Sequence, residues 1–145
     1  MVLPGIQALF GFQLIAAFNQ RFMELAASDR VVHLVSLVLV ALAIVLIMTP
    51  AAYHRIVEPG RTSTFFNRLA SVLVAAAMVP LLMSISMDIY VVARLTVPGA
   101  DPWLGIGLSI TTFVVYVGLW IVFPYWQRAR PQHRMTVRQL RRWFP

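Results

Sequence analysis

A chain of 145 residues that is 60% hydrophobic and only 12% charged has about half the charge of an average soluble domain. The length fits one domain, and a soluble fold this small could not bury so much apolar surface, which argues against a water-soluble globule and for a small integral-membrane protein. The net charge is +7, from 12 basic residues, all arginine, against 5 acids, and there is no cysteine. Arginines that flank apolar runs and crowd the C-terminus fit membrane electrostatics more simply than nucleic-acid binding. Without cysteine there is no disulfide, thiol nucleophile or thiolate metal site.

In chain order, four segments have the roughly 20 predominantly apolar residues needed to cross the hydrocarbon. The first, about 3–26, opens with Pro4 in a first helical turn, where its missing N–H is no loss; its flank lacks the basic region of a signal peptide, so it is expected to be retained. The second, about 31–48, is rich in Val and Leu and is expected to stop at Pro50. The third spans about 67–92. The fourth, about 102–123, starts with Asp101 as N-cap and Pro102 at the first helical position, and is expected to close at Phe123-Pro124. Short links predict an all-α, antiparallel four-transmembrane-helix bundle over 1–128; no alternating ten-residue strands of a barrel are present.

An even number of spans puts both termini on one side. Arg55, Arg61, Arg68 and the tail arginines fall there with Glu58, whereas Arg21, Arg30 and Arg94 share the other side with Glu24, Asp29, Asp88 and Asp101. The positive-inside rule then makes both termini cytoplasmic in a multi-pass protein of a bacterial inner membrane. Residues 129–145 form a basic tail in which Thr136 and Gln139 make a capping-box pattern. Val137, Leu140, Trp143 and Phe144 fall on one face and Arg138, Arg141 and Arg142 on the other, as in an amphipathic helix lying on anionic lipid. A solvated tail that merely fixes topology is the blander reading.

Polar side chains inside apolar segments need a partner or a wet cavity. Taken as one continuous helix, the first segment aligns Gln13, Gln20 and Glu24 in a stripe beside Arg21. The third aligns Ala77, Pro80, Ser84 and Asp88, with Ser84 able to bond its own helix one turn back. The second carries His33, Ser36 and Val40. The candidate network is therefore Gln13, Gln20, Arg21, Glu24, Arg30, His33, Ser84, Asp88 and Arg94. It reads either as interhelical glue, at roughly 0.6–2 kcal/mol per bond, or as a proton or cation site in which Asp88 and His33 titrate. Glue is preferred, because a pathway must cross the inner half, where only Gln7 and Gln13 add polar atoms. Gly105, Ser109, Thr112 and Gly118 mark a close-packing face, within the bundle or against another copy.

No catalytic set is evident. His33 and His54 are too far apart, roughly 30 Å along a helix, to hold one haem, and no metal, nucleotide or nucleophile motif is present. No cofactor and no enzymatic activity are expected.

The blocks Leu3-Pro4-Gly5-Ile6-Gln7-Ala8-Leu9-Phe10, Gln20-Arg21-Phe22, Pro50-Ala51-Ala52-Tyr53-His54-Arg55 and Asn67-Arg68-Leu69-Ala70 resemble a family of small four-helix bacterial membrane proteins without established function, some members of which carry an automatic sodium:proton antiporter label. The resemblance covers Leu3 to about Arg128. It implies a late third-helix aspartate, matched by Asp88, and an interfacial role for Tyr53, His54 and Arg55, as lipid anchor or docking element. Members start with a charged helix before the Leu-Pro-Gly element, where this chain begins, which points to a shortened N-terminus; the basic tail is longer than usual. The expected function is a non-enzymatic structural, assembly or lipid-interacting membrane component whose partners are the bilayer and a second copy of itself; the alternative is a small oligomeric proton or cation channel or transporter.

Overall fold

The structure is a computed structural model that describes residues 2–57, 59, 63–97, 99 and 101–129. All the regular elements among these residues are helices, in the order α1 (Val2–Ala17), α2 (Gln20–Met23), α3 (Ala27–Val57), α4 (Thr64–Thr96), α5 (Pro102–Val117), a π-helical turn (Gly118–Val122) and α6 (Phe123–Ala129). Three stretches are long and apolar enough to cross a membrane: Ala27–Val57, Thr64–Thr96 and Pro102–Ala129. The first apolar segment is shorter. At 16 residues, α1 is about 24 Å long, less than the roughly 30 Å of hydrocarbon.

Five expected helix boundaries are corrected. The first helix does not continue to Ala26. The amides of Phe18 and Asn19 turn back to the carbonyls of Ile15 and Ala16 at 3.1 Å each, a tight terminal turn. Asn19 then takes an extended conformation and its side chain accepts from the Arg21 amide at 3.1 Å. An Asn side chain competes with the helix ladder for backbone donors, so it stops one helix and caps the next.

Pro50 does not end the second span. It lies buried inside α3, which continues through Tyr53, His54 and Arg55 to Val57. A proline within an apolar helix removes one ladder bond, a cost that neighbouring packing absorbs. The third helix is likewise longer than expected: Ser63 caps α4 by accepting from the Phe66 amide at 3.0 Å, so the helix begins at Thr64, three residues before the expected start, and runs on to Thr96.

Pro124 does not close the fourth span either. Before it the helix widens into the π turn, where the Phe123 amide bonds the Gly118 carbonyl. The wider turn accommodates a ring that would clash in an α-helix, so α6 proceeds to Ala129. At the other end the expectation holds: Asp101 accepts from the Trp103 amide at 3.1 Å with Pro102 in the first turn.

The helices pack antiparallel in sequence order. Along α3 the buried positions Asp29, His33, Ser36, Val40 and Ala43 recur at alternating spacings of four and three; along α4 Ala77, Leu81, Ser84 and Val91 follow the same rhythm, with Asp88 on it. This is a heptad-type seam. Its inner part is apolar, where Ile6 of α1 drops onto Val40, Ala43, Ala77 and Leu81. Its outer part is polar. α5 leans on α4 where Gly105 meets Tyr90: a Cβ there would come within 3.0 Å of the ring. Ser109 then donates to the Ser86 carbonyl at 2.6 Å.

Candidate functional site

Above the apolar core, α1, α3 and α4 meet around the Asp88 carboxylate. Ser36 donates to Asp88 Oδ1 at 2.6 Å and lies 2.7 Å from the His33 carbonyl, so one hydroxyl proton serves two acceptors. Gln13 Nε2 donates to Asp88 Oδ2 and to Ser84 Oγ, the latter at 3.2 Å. Ser84 passes the chain on, donating across the seam to the Ser36 carbonyl at 2.9 Å. That corrects its expected bond back along its own helix. His33 Nε2 meets the Gln13 carbonyl at 3.0 Å, and its Nδ1 stands 3.5 Å from Asp88 Oδ1. Gln13, His33, Ser36 and Ser84 are each at most 5% exposed. Turning the Gln13 amide over would set its oxygen against the carboxylate. Nε2 therefore faces Asp88, and Oε1 is left buried without a hydrogen-bond partner.

A second constellation stands one to two turns further out. Asp29 accepts from Tyr90 Oη at 2.9 Å and pairs with Arg94 Nε at 3.3 Å. Asp29 is buried while Arg94 is partly exposed. Such a pair has lost most of its hydration on one side only, so it orients α3 against α4 more than it stabilises them. Arg21, Glu24, Asp29, Arg94 and Pro102 border an open cleft of about 590 Å³ at this end of the bundle. The Phe22 ring of α2 meets the His33 ring edge-on, centroids 5.0 Å apart.

The structure thus brings together Gln13, His33, Ser84 and Asp88 of the expected network, and places Arg21, Glu24 and Arg94 around the cleft instead. The Gln13–Gln20–Glu24 stripe is absent, because the break at Phe18 and Asn19 takes Gln20 and Glu24 out of register to exposed positions. Arg30 is half-buried, with Nε unpartnered. The sequence does not single out Asp29 and Tyr90 as site residues, and it puts Ser36 on a polar stripe outside the expected network. The four-three spacing of Asp29, His33 and Ser36 was the signal that could have found two of them.

At the opposite end, Tyr53 stacks on Phe66 with rings 12° apart, and His54 lies 4.9 Å from the same ring. Both are half-buried, whereas Arg55 is exposed. The motif that carries them is therefore a helical contact between α3 and α4 with an arginine at its rim. Arg61 and the tail residues Arg138, Arg141, Arg142 and Trp143 lie outside the described residues. Among the described residues, no three His, Cys, Asp or Glu side chains group closely enough to hold a metal ion. The cluster combines one carboxylate and one imidazole with hydroxyls, an amide and backbone carbonyls, a set that suits a proton or a hydrogen-bond network.

A family model described as a family of unknown function (DUF6328) matches residues 1–124. No curated protein and no solved structure matches the chain.

Proposed function

The chain belongs to that family of unknown function, and from this premise we propose that it is a non-enzymatic membrane bundle, a structural or assembly component that works through its lipid- and partner-facing exterior. The observation that carries this reading is the surface. Large apolar side chains, among them Leu34, Val38, Leu42, Val45, Ile110, Val114 and Leu119, are exposed along the long helices. None of the apolar window of Pro102–Ala129 is buried. Water would not tolerate such a belt. Lipid covers it, and a second copy docking on α5 would cover part of it. In this reading α1 is the fourth membrane segment, both termini face the bacterial cytoplasm, and the arginine-rich tail rests on anionic lipid. Crosslinking in native membranes tests the assembly: a dimer or higher species bridged through α5 is expected, and a strictly monomeric chain at all protein-to-lipid ratios would remove the oligomer from the proposal.

A specific observation favours a second reading, proton or cation transport: an acid, an imidazole and a partnerless amide oxygen share one buried cluster. What weighs against a path through a single chain is the layer beneath it, where Ile6, Val40, Ala43, Ala77 and Leu81 close the seam with apolar atoms. Proteoliposome flux separates the readings. Negligible proton and sodium flux, equal in native protein and Asp88→Asn, is expected. Flux in the native protein that Asp88→Asn abolishes without unfolding would make transport the function.

A further inference from the structure

We propose that His33 and Asp88 form a one-proton binding couple, with the proton on His33 Nδ1 and the ring orientation set by the Gln13 carbonyl. The argument is hydrogen-bond accounting. The Gln13 carbonyl can only accept, so His33 Nε2, 3.0 Å away, must carry a hydrogen. In a neutral ring that leaves Nδ1 as a bare lone pair. Nδ1 stands 3.5 Å from Asp88 Oδ1, and two electron-rich atoms facing each other in a desolvated site repel. A proton on Nδ1 turns that contact into an ion pair. The alternative, a proton on the carboxyl, is disfavoured because Oδ1 accepts from Ser36 at 2.6 Å and Oδ2 from Gln13, and hydrogen bonds donated to a carboxylate favour its ionised form. An ionised Asp88 and an imidazolium cancel, as an ion pair among apolar helices must.

The surrounding charges leave this pair to itself. From α1 only the Gln13 amide faces it, and from α2 the Phe22 ring, with Arg21 and Glu24 exposed beyond. On α3, Asp29 is turned to Tyr90 and Arg94 of α4, and Arg30 is half-buried. From α5, Ser109 approaches α4 only at Ser86, and Asp101 caps the exposed outer end. Releasing the Nδ1 proton to solvent leaves a neutral ring and one uncancelled negative charge. The ring then relieves the repulsion by turning, which breaks its bond to the Gln13 carbonyl. Since, among the described residues, that bond and the Gln13 side chain are the polar ties of α1 to the seam, proton occupancy controls how firmly the outer end of α1 is docked.

The test is nuclear magnetic resonance of the full chain, 15N-labelled at histidine, in nanodiscs, with His33 assigned by comparison with His54→Gln and His133→Gln. The expected result is a low-field Nδ1 proton resonance that disappears on raising the pH and is lost in Asp88→Asn, with Nε2 protonated throughout. Amide exchange over residues 14–19 should rise as that resonance disappears. Infrared difference spectra should show an imidazolium lost and no carboxylic acid band. A deprotonated ring with its hydrogen on Nδ1 would overturn the proposal. So would a carboxylic acid band that Asp88→Asn removes, or a resonance displaced by sodium chloride but not by N-methylglucamine chloride. If Asp88→Asn fails to fold, the tautomer in the native chain decides by itself. The readout involves no gradient, so its failure leaves the membrane-bundle reading intact, and absent flux leaves the couple intact.

Discussion

Ser84 and Ser71 are both serines on α4, and only their surroundings separate them. Ser84 is fully buried, accepts from Gln13 and donates to the Ser36 carbonyl across the seam; Ser71 is exposed and donates to Asn67, one turn back on its own helix, at 2.8 Å. Interhelical hydrogen bonds in membranes average about 0.6 kcal/mol and reach about 1.7. Ser84→Ala, which removes two of them, is expected to cost about 1–2 kcal/mol in reversible unfolding from mixed micelles. Ser71→Ala should stay within about 0.5 kcal/mol, as an exposed substitution does. Equal effects at the two positions would mean that the cluster adds no stability. Periodicity alone put Ser84 on a polar face; whether its hydroxyl turned inward along its helix or outward to a neighbour depended on α3 being close enough to accept.

At the scale of the helix, Gly105 is where α5 comes nearest to α4. A Cβ at that position would sit 3.0 Å from Tyr90 Cδ2, whereas Gly107 has nothing within 4 Å. Gly105→Val is expected to lower stability by about 1–3 kcal/mol through overpacking, and to displace Tyr90 from Asp29. Gly107→Ala should be neutral or stabilising by up to about 1 kcal/mol, the helix-propensity gain. Thermal unfolding in detergent, followed by Tyr fluorescence, checks both. The helix starts were legible where a cap and a proline coincide, as at Asp101-Pro102. The helix ends were not: Pro50 and Pro124 look like terminators in one dimension, yet packing retains the first inside α3 and a π turn makes room for the second. Asn19 was the reverse case, an ordinary polar residue that ends a helix because its side chain takes a backbone donor.

For the molecule as a whole, charge separates along the bundle axis. Arg55, Arg68 and Arg128 belong to the end formed by the start of α1, the close of α3 and the start of α4; at the other end Arg21, Arg30 and Arg94 are outnumbered by Glu24, Asp29, Asp88 and Asp101. Reporter fusions should therefore find the N-terminus, the C-terminus and the α3–α4 link on the cytoplasmic side, and the α4–α5 turn outside. A reporter in the α2 region that reads cytoplasmic would mean that α1, about 24 Å long, enters the bilayer without crossing it. The turn between α4 and α5 contains Gly99 at a φ of 79°, a backbone conformation that glycine adopts without strain.

Apolar stretches long enough to cross a membrane, helix as the only regular element among the described residues and the lopsided arginines could all be read from the amino acids, because hydropathy and charge are properties of segments and need no partner to act. Membership of the Asp88 cluster could not. It was decided when α1 stopped at Ala17, leaving Gln13 as its last inward amide, and when the four-three seam set Ser36 and His33 of α3 opposite Ser84 and Asp88 of α4. A buried polar group is satisfied only by whatever lies across from it, and what lies across is a property of packing, not of neighbours along the chain.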